Sequence, residues 1–240
     1  NFRAHPDDYD SDLPSVTDFP LSFAMQKAFA PDDGEIYDLY RTLAQDHVYP
    51  EPNRLVTFLD NHDLTRFFSV VDEDEAAFKL AYTFLMTTRG IPQVYYATEL
   101  MQPMADVEGD GAKRSDMPGG WPNDERSVFT EEGRTDRENE AHDFVTRLTT
   151  WREDADVVHH GQLTQFIPQN NTYVYVRHDT DDTVMVVLNN ADESRDLSLD
   201  RFEERLQGAT SGRDVIEDRT YALDDTLTVP ARTPLVLEVK

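Results

Sequence analysis

The spacing of apolar and polar residues divides the chain into two parts. Up to residue 152, short apolar runs alternate with stretches in which apolar residues recur every three or four positions, as expected for strands between amphipathic helices. From Gly161 onward apolar residues occupy every second position, which is typical of half-buried strands. We therefore predict an α/β region over residues 1–152 and an all-β region over residues 156–240.

A strand–helix–strand unit lies at the centre of the α/β region. Residues 55–59 form an apolar run too short for a helix, and residues 91–97 form a second one. Between them, residues 75–89 have helical spacing, and Gly90 provides the stop. Because such crossovers are right-handed and join parallel strands, the unit predicts a parallel sheet.

The other predicted elements are less regular. In the α/β region they are a strand at 13–21, helices at 22–29, from 33 or 34 to 47 and at 138–151, and loops at 1–12 and 100–136. A loop as long as 100–136 is usually functional or disordered. In the all-β region, Asn170-Asn171, Asp181-Asp182 and Asn189-Asn190 separate short strands, which indicates an antiparallel sandwich.

The charge of the chain limits its partners. With 48 acidic and 22 basic residues, the net charge is −26, which argues against nucleic acid or an anionic membrane. Such acidity resembles that of proteins from salt-loving organisms, where ionic strength screens self-repulsion. An ordinary acidic secreted enzyme is the alternative interpretation.

The sequence contains no cysteine, so disulfides and thiolate chemistry are excluded. We find no transmembrane run, signal peptide or transit peptide, and expect no membrane partner. The start at Asn1 suggests a piece of a longer chain. The cellular location stays open, with the periplasm or the exterior favoured over the cytoplasm.

Polar residues follow the predicted strand 55–59 directly. Asn61, His62 and Asp63 would lie at its C-terminal end, where barrel and doubly wound enzymes carry their chemistry. Asn and Asp are also ordinary turn residues, so a purely structural role is the alternative.

Four motifs carry a resemblance to a known family. Phe58-Leu-Asp-Asn-His-Asp63 and Gly90-Ile-Pro-Gln-Val-Tyr-Tyr-Ala-Thr-Glu99 resemble the last signature region and the final barrel strand of the α-amylase family, glycoside hydrolase family 13. Residues 13–21 and 110–121 are similar to its neopullulanase and cyclomaltodextrinase branch. The resemblance implies strands six to eight of a (β/α)8 TIM barrel followed by an antiparallel β-sandwich. Ala97 departs from the glycine usual in the family.

The resemblance also implies roles for individual residues. Asp63 would be the catalytic transition-state stabiliser, binding sugar hydroxyls and helping to keep the acid Glu protonated, and His62 would bind the same sugar. Asp110 and Arg114 would hold the neighbouring sugar, with an ion pair that braces the loop as the alternative. Trp121 would be either a platform for a sugar ring or part of a core.

Some polar residues receive no binding role. We expect Arg66, Tyr95, Tyr96 and Glu99 to be structural. Residues 106–111 superficially resemble a calcium loop but lack the bidentate Glu of the EF-hand pattern. We therefore assign no metal ligand and no cofactor to this chain, while calcium is possible in the full-length enzyme through ligands upstream.

Retaining glycosidases need a carboxylate nucleophile and an acid carboxyl group close together. In the family both precede the residues that match Leu13, so we place them outside this chain. We expect the C-terminal part of a hydrolase acting on α-1,4 links in maltodextrins, cyclodextrins or pullulan. Its partners would be the α-glucan and the missing N-terminal half of the barrel, with a second copy of the chain as a further candidate partner.

Taken alone, this chain is expected to be inactive. Residues 1–151 would be mobile or would pair with another copy unless the missing half of the barrel is supplied, and residues 156–240 would fold independently. The alternative is a non-catalytic carbohydrate-binding or scaffold relative, comparable to the amylase-like heavy chains of amino-acid transporters.

Overall fold

The computed structural model of the protein describes residues 15–31 and 35–240. Its helices are α1 (Phe19–Phe29), α2 (Tyr37–Leu43), α3 (Phe67–Val70), α4 (Glu75–Thr87), α5 (Asp136–Asp154), α6 (Asp156–His160) and α7 (Glu203–Leu206). Its strands are β1 (Val56–Phe58), β2 (Ile91–Gln93), β3 (Gln162–Gln169), β4 (Thr172–His178), β5 (Thr183–Asn189), β6 (Arg195–Ser198), β7 (Ser211–Asp214), β8 (Arg219–Ala222), β9 (Thr226–Val229) and β10 (Thr233–Val239). Within the described ranges no helix combines the length and the apolarity that crossing a bilayer requires.

The predicted strand–helix–strand unit is present. Strands β1 and β2 pair in parallel, with Val56 opposite Ile91, and α4 lies between them along the chain. On the other side of β1, Thr17 forms a single parallel bridge with Val56. Three chain segments therefore run side by side in sequence order. We call the described residues up to Asp154 the α/β part.

The strand predicted at 13–21 was wrong over most of its length. Residues 13 and 14 lie outside the described ranges, and the following residues pair only at Thr17. Helix α1 begins at Phe19, because Asp18 accepts a hydrogen bond from Leu21 N (3.0 Å) and Pro20 occupies the first turn. These are ordinary signals for the start of a helix, and they override the strand-like apolar run.

Helix α2 is shorter than predicted. The predicted start at residue 33 or 34 lies outside the described ranges, and the helix ends at Leu43 instead of continuing to residue 47. A 3-10 turn follows, and Asp46 accepts two hydrogen bonds from Arg89 (2.8 and 2.7 Å). Arg89 also donates to buried Asp18 (2.6 Å), so one arginine ties the start of α1 to the segment after α2.

The predicted antiparallel sandwich is confirmed. Six strands form one antiparallel sheet in the order β3-β4-β5-β10-β7-β8, and β6 and β9 form a second, two-stranded antiparallel sheet. Between the two sheets lies an apolar core that includes Val174, Val176, Leu227 and Val229. We call residues 162–239 the β part.

The six-stranded sheet is covered on its other face as well. Along β4, Val174 and Val176 belong to the core between the sheets, while Tyr173 and Tyr175 belong to the core of the α/β part. The ring of Tyr175 meets that of Phe84 on α4 edge to face, with centroids 5.8 Å apart. The two parts therefore share one apolar core, and a domain boundary at residues 152–156 stays a prediction.

Candidate functional site

A tight turn at the C-terminal end of β1 exposes two polar side chains. Asn61 Oδ1 accepts hydrogen bonds from the backbone N–H groups of Asp63 (2.8 Å) and Leu64 (3.1 Å). As a result, the side chains of His62 and Asp63 are 62% and 65% exposed, and His62 Nε2 lies 3.2 Å from Asp63 Oδ2. We call these two residues the His62–Asp63 pair.

The long loop after β2 folds back onto this pair. Arg114 donates from Nε to the His62 carbonyl (3.0 Å) and from Nη2 to Asp63 Oδ1 (3.2 Å). Lys113 donates to the Asp63 carbonyl (3.1 Å). Both cations come from a 3-10 turn at Gly109–Arg114, which brings these consecutive side chains against the His62–Asp63 pair. We call the surface formed by His62, Asp63, Lys113 and Arg114 the rim. Sequence reasoning missed Lys113, whose only signal was its place beside Arg114.

Asp110 and Arg114 are not paired with each other. Asp110 Oδ1 accepts from Lys113 Nζ (3.1 Å), while Arg114 binds Asp63. The hydrogen bond from Lys113 and the charges of Lys113 and Arg114 lower the pKa of Asp110. A direct Asp110–Arg114 brace is therefore wrong, and Arg114 instead braces the loop against the His62–Asp63 pair. The ammonium of Lys113 beside Asp110 also argues against calcium in this loop.

Trp121 lies in a separate open groove with a volume of about 540 Å³. Its indole is 64% exposed, so packing in a core is excluded. The indole Nε1 donates to Asp116 (2.9 Å), and the backbone N–H groups of Gly119 (2.6 Å) and Trp121 (3.0 Å) both donate to Asp124. Asp116 thus binds the edge of the ring and Asp124 fixes the backbone of the turn, while most of the side chain stays exposed. A sugar-stacking role for Trp121 stays a prediction.

A buried arginine packs against two tyrosines of the segment that follows β2. The side chain of Arg66 is fully buried, and its guanidinium carbon lies 4.3 Å from the ring centre of Tyr95 and 4.6 Å from that of Tyr96. Arg66 Nη1 donates to the Tyr96 carbonyl (2.5 Å). Cation–π contacts of this kind stabilise a charge that water cannot reach. These contacts agree with the structural roles expected for the three residues.

Asp60 anchors the same loop, and sequence reasoning gave it no role. Its carboxylate accepts from Phe67 N (2.8 Å) and from Thr98 Oγ1 (2.8 Å), which joins the loop after β1 to the segment after β2. Burial raises the pKa of Asp60 and also that of nearby Glu99. The signal available in the sequence was the place of Asp60 immediately after an apolar strand.

The rim offers the mixture of groups that hydroxyl-rich ligands require. Asp63 presents acceptor oxygens, while His62 and Arg114 present ring and guanidinium nitrogens at the same surface. A sugar carries neighbouring hydroxyls that each donate and accept one hydrogen bond or more. The geometry is therefore suited to holding two adjacent hydroxyl groups.

Two family models match the chain. One is described as "Alpha amylase, catalytic domain" and matches residues 9–197, and the other is described as "Cyclo-malto-dextrinase C-terminal domain" and matches residues 163–238. The family expected from the four motifs is thereby confirmed.

Individual relatives agree with the family that these two models indicate. A cyclomaltodextrin glucanotransferase of Bacillus sp. (strain 38-2) is 26% identical over 176 residues, which is 73% of this chain and 22% of that protein. An α-amylase from Anoxybacillus has the same fold with a TM-score of 0.79 and 22% identity, over 95% of this chain and 47% of that one. An α-amylase from Geobacillus thermoleovorans, solved with acarbose, has the same fold with a TM-score of 0.75 and 22% identity, over 95% of this chain and 48% of that one.

The chain therefore spans about a fifth of the glucanotransferase and about half of each solved amylase. The few parallel strands and the β-sandwich agree with a match to only part of a larger fold. The match of the catalytic-domain model over most of the chain shows that this protein belongs to the α-amylase family.

Proposed function

We propose that this chain is the C-terminal part of a retaining α-glucan hydrolase that cleaves α-1,4 bonds in maltodextrins, cyclodextrins or pullulan. The observation that carries the proposal is the exposed His62–Asp63 pair at the end of a parallel strand, with Arg114 bound to it from the next loop. The relatives support the substrate class, since one is named for cyclomaltodextrin chemistry and another was solved with acarbose. In this proposal residues 1–152 are the end of the barrel and residues 156–240 the β-sandwich domain.

Asp63 would act on the sugar at the cleaved bond. Glycoside cleavage passes through an oxocarbenium-like transition state, and hydrogen bonds to ring hydroxyls that strengthen in that state contribute several kcal/mol. An ionised carboxylate accepts the strongest of these bonds. His62 would bind the same sugar through its ring nitrogen, and the nucleophile and the general acid would come from outside this chain.

Arg114 has two tasks in this scheme. Its bonds to the His62 carbonyl and to Asp63 hold the pair at the rim, and its side chain stays 45% exposed. The exposed part of the guanidinium would bind the neighbouring sugar together with Asp110. Trp121 would stack on a sugar further along, because an indole face suits the apolar face of a glucose ring.

The decisive experiment uses the whole protein that contains this chain. Hydrolysis of maltodextrin and of cyclodextrin would be compared for the wild type, Asp63→Asn and Asp143→Asn. Asp143 is a matched control, since it is an exposed carboxylate on α5 that lies 3.5 Å from His142 Nδ1. We expect Asp63→Asn to lower kcat by about 10²–10³-fold, the usual loss for one preorganised group that stabilises the transition state.

Two results would contradict the proposal. Equal activity of the Asp63→Asn variant and the wild type would remove Asp63 from the chemistry. A folded wild-type protein without activity on any α-glucan would favour the carbohydrate-binding or scaffold alternative. Binding of maltodextrin without hydrolysis, measured by calorimetry, would then separate those two remaining roles.

A further inference from the structure

Three side chains able to bind a metal ion lie together on α6. The carboxylate of Asp156 and ring nitrogens of His159 and His160 are all within 4.8 Å of one another, and no other such group of three occurs in residues 15–31 and 35–240. His159 and His160 line a cavity of about 850 Å³ together with Arg54 and Gly90, which precede β1 and β2. The group therefore lies at the N-terminal ends of these strands, opposite the end that carries the His62–Asp63 pair.

Helix α6 is held rigidly even though it has only five residues. The buried guanidinium of Arg177 on β4 donates from Nη2 to the carbonyls of Val158 (2.8 Å) and Gly161 (2.9 Å). At Gly161 an added Cβ would lie 2.3 Å from the Val157 carbonyl, so the chain makes a close turn there. Metal ligands are more effective when their backbone is fixed in advance, because less conformational entropy is lost on binding.

Arg152, a cation that lines the same cavity as Arg54 and the two histidines, directs its guanidinium to the backbone. Arg152 donates from Nη1 to the Met86 carbonyl (2.5 Å) and from Nη2 to the Gly90 carbonyl (3.3 Å), so its charge is stabilised by the backbone before β2.

We propose that Asp156, His159 and His160 bind one divalent transition-metal ion of the zinc class, with water completing the coordination. Two imidazoles and one carboxylate are ligands that suit zinc. Around a tetrahedral zinc ion with ligand distances of about 2.0–2.1 Å, donor atoms lie about 3.4 Å apart. Small side-chain rotations would therefore close the present spacing, and the acidic chain would raise the local cation concentration.

The site would have a structural effect. Helix α6 joins the end of α5 to β3, the first strand of the six-stranded sheet. A metal ion held by three residues of this connection would stabilise the folded form by mass action, because the unfolded chain does not hold the three ligands together. This role goes beyond the expectation that the chain contributes no metal ligand.

Zinc titration of the whole protein, freed of metal with a chelator, tests the proposal. Calorimetry would compare the wild type with His159→Ala, His160→Ala and Asp156→Asn. His142→Ala is the matched control, because His142 is a partly exposed histidine beside a carboxylate on α5 and belongs to no such group of three among residues 15–31 and 35–240. Cobalt would serve as a second probe, since its visible absorption reports four-coordinate binding.

We expect the wild type and His142→Ala to bind zinc equally, and each α6 histidine variant to weaken this site by at least about tenfold, equal to about 1.4 kcal/mol. The cobalt bands should be lost in the same variants. Asp156→Asn changes no apolar packing and would show the loss even if a histidine variant misfolds. Zinc affinity unchanged in Asp156→Asn and in a folded His159→Ala variant, or a wild type that binds no zinc, would overturn the proposal.

Discussion

The six-stranded sheet and the parallel strands β1 and β2 differ in how fully they are covered. In the sheet, Val186 and Val187 face opposite sides of β5, and both are fully buried. Strand β2 pairs only with β1 among the described residues, and the side chain of Ile91 is 50% exposed. The β part thus buries its central strand on both faces, whereas the α/β part ends in β2, a partly exposed edge strand.

The difference follows from connectivity. Every strand of the two antiparallel sheets pairs with another strand of residues 162–239, while a parallel barrel strand needs a neighbour on each side and β2 has one among the described residues. A partial chain can therefore contain a complete sandwich and an incomplete barrel. The two parts are nevertheless not separate, because Tyr173 and Tyr175 of the sheet lie in the core of the α/β part. A β part cut away from α4 would expose this apolar face to water. The predicted independent folding of residues 156–240 therefore requires the isolated β part to stay folded with that face exposed.

The largest expected effect comes from Tyr175, which joins the two parts. Tyr175→Ala removes a fully buried ring that contacts Phe84, and we expect the free energy of unfolding to fall by about 3–5 kcal/mol. Unfolding in denaturant, followed by tryptophan fluorescence and circular dichroism, measures this loss. If the shared core couples the two parts, both signals should shift together.

Tyr175→Phe is the matched control. It keeps the ring and removes only the hydroxyl that hydrogen-bonds to Thr87 Oγ1, so a loss of about 1 kcal/mol is expected. A shift in only one of two separate transitions after Tyr175→Ala would show that the parts unfold independently, against the shared-core interpretation.

Each part also contains one fully buried aspartate whose pKa is raised by burial, Asp60 in the α/β part, beside the less buried Glu99, and Asp214 in the β part. Between the unfolded pKa of 3.8 and the raised folded value, the folded state binds more protons than the unfolded state. Stability contributed by the protonated group is therefore lost as pH rises through this window.

Asp60→Asn and Asp214→Asn should remove this dependence. We expect each variant to gain stability relative to the wild type as pH rises through the window, measured as the free energy of unfolding at a series of pH values. A difference between variant and wild type that stays constant with pH would contradict the raised pKa. If only Asp60→Asn changes one of two transitions, the two parts titrate and unfold separately.

A smaller effect concerns backbone strain, which we compare at one left-handed site in each part. At the β3–β4 hairpin the left-handed positions are Asn170 and Asn171, with φ of 51° and 56°, and asparagine tolerates this region. Near the rim of the α/β part, buried Ala97 has φ of 65°, a conformation that costs an ordinary residue about 1–2 kcal/mol. The glycine usual in the family at this position thus has a physical reason.

We expect Ala97→Gly to stabilise the protein by about 0.5–1 kcal/mol, the relief of strain less the added entropy of the unfolded chain. Thermal unfolding measures the gain. Asn171→Gly is the control and should bring no gain, because it removes the hydrogen bond from Asn171 Nδ2 to the Asn190 carbonyl (3.1 Å). A loss of stability in Ala97→Gly would be incompatible with strain at this residue.

The smallest effect should come from the ion pair that bridges the two parts. Arg232 of the β part lies 2.5 Å from the carboxylate of Asp74, which caps α4. Asp74 is 42% exposed, so screening by water limits the share of this ion pair to about 1 kcal/mol or less in the free energy of unfolding lost in Arg232→Ala, which also removes the hydrogen bonds from Arg232 Nη1 to Asn190. A loss as large as that of Tyr175→Ala would mean that charge, and not the apolar core, joins the parts.

Local pattern alone predicted much of the fold. The apolar run 55–59 contains β1, the helical spacing at 75–89 contains α4, and the alternation after Gly161 predicted the antiparallel strands. These features depend on neighbours within about ten residues, which is the range over which periodicity and turn preferences act. Four consecutive polar residues after β1 also indicated the rim that carries His62 and Asp63.

The sequence by itself thus determined the two classes of structure, the central strand–helix–strand unit and the rim residues to consider. Only the tertiary structure decided that Arg114 binds Asp63 instead of Asp110, that Asp60 is buried under the rim, and that Trp121 is exposed. It also decided that the sheet is buried on both faces. The reason is that ion pairing, burial and core contacts depend on residues brought together from distant positions, and no local spacing encodes which of several possible partners lies nearest.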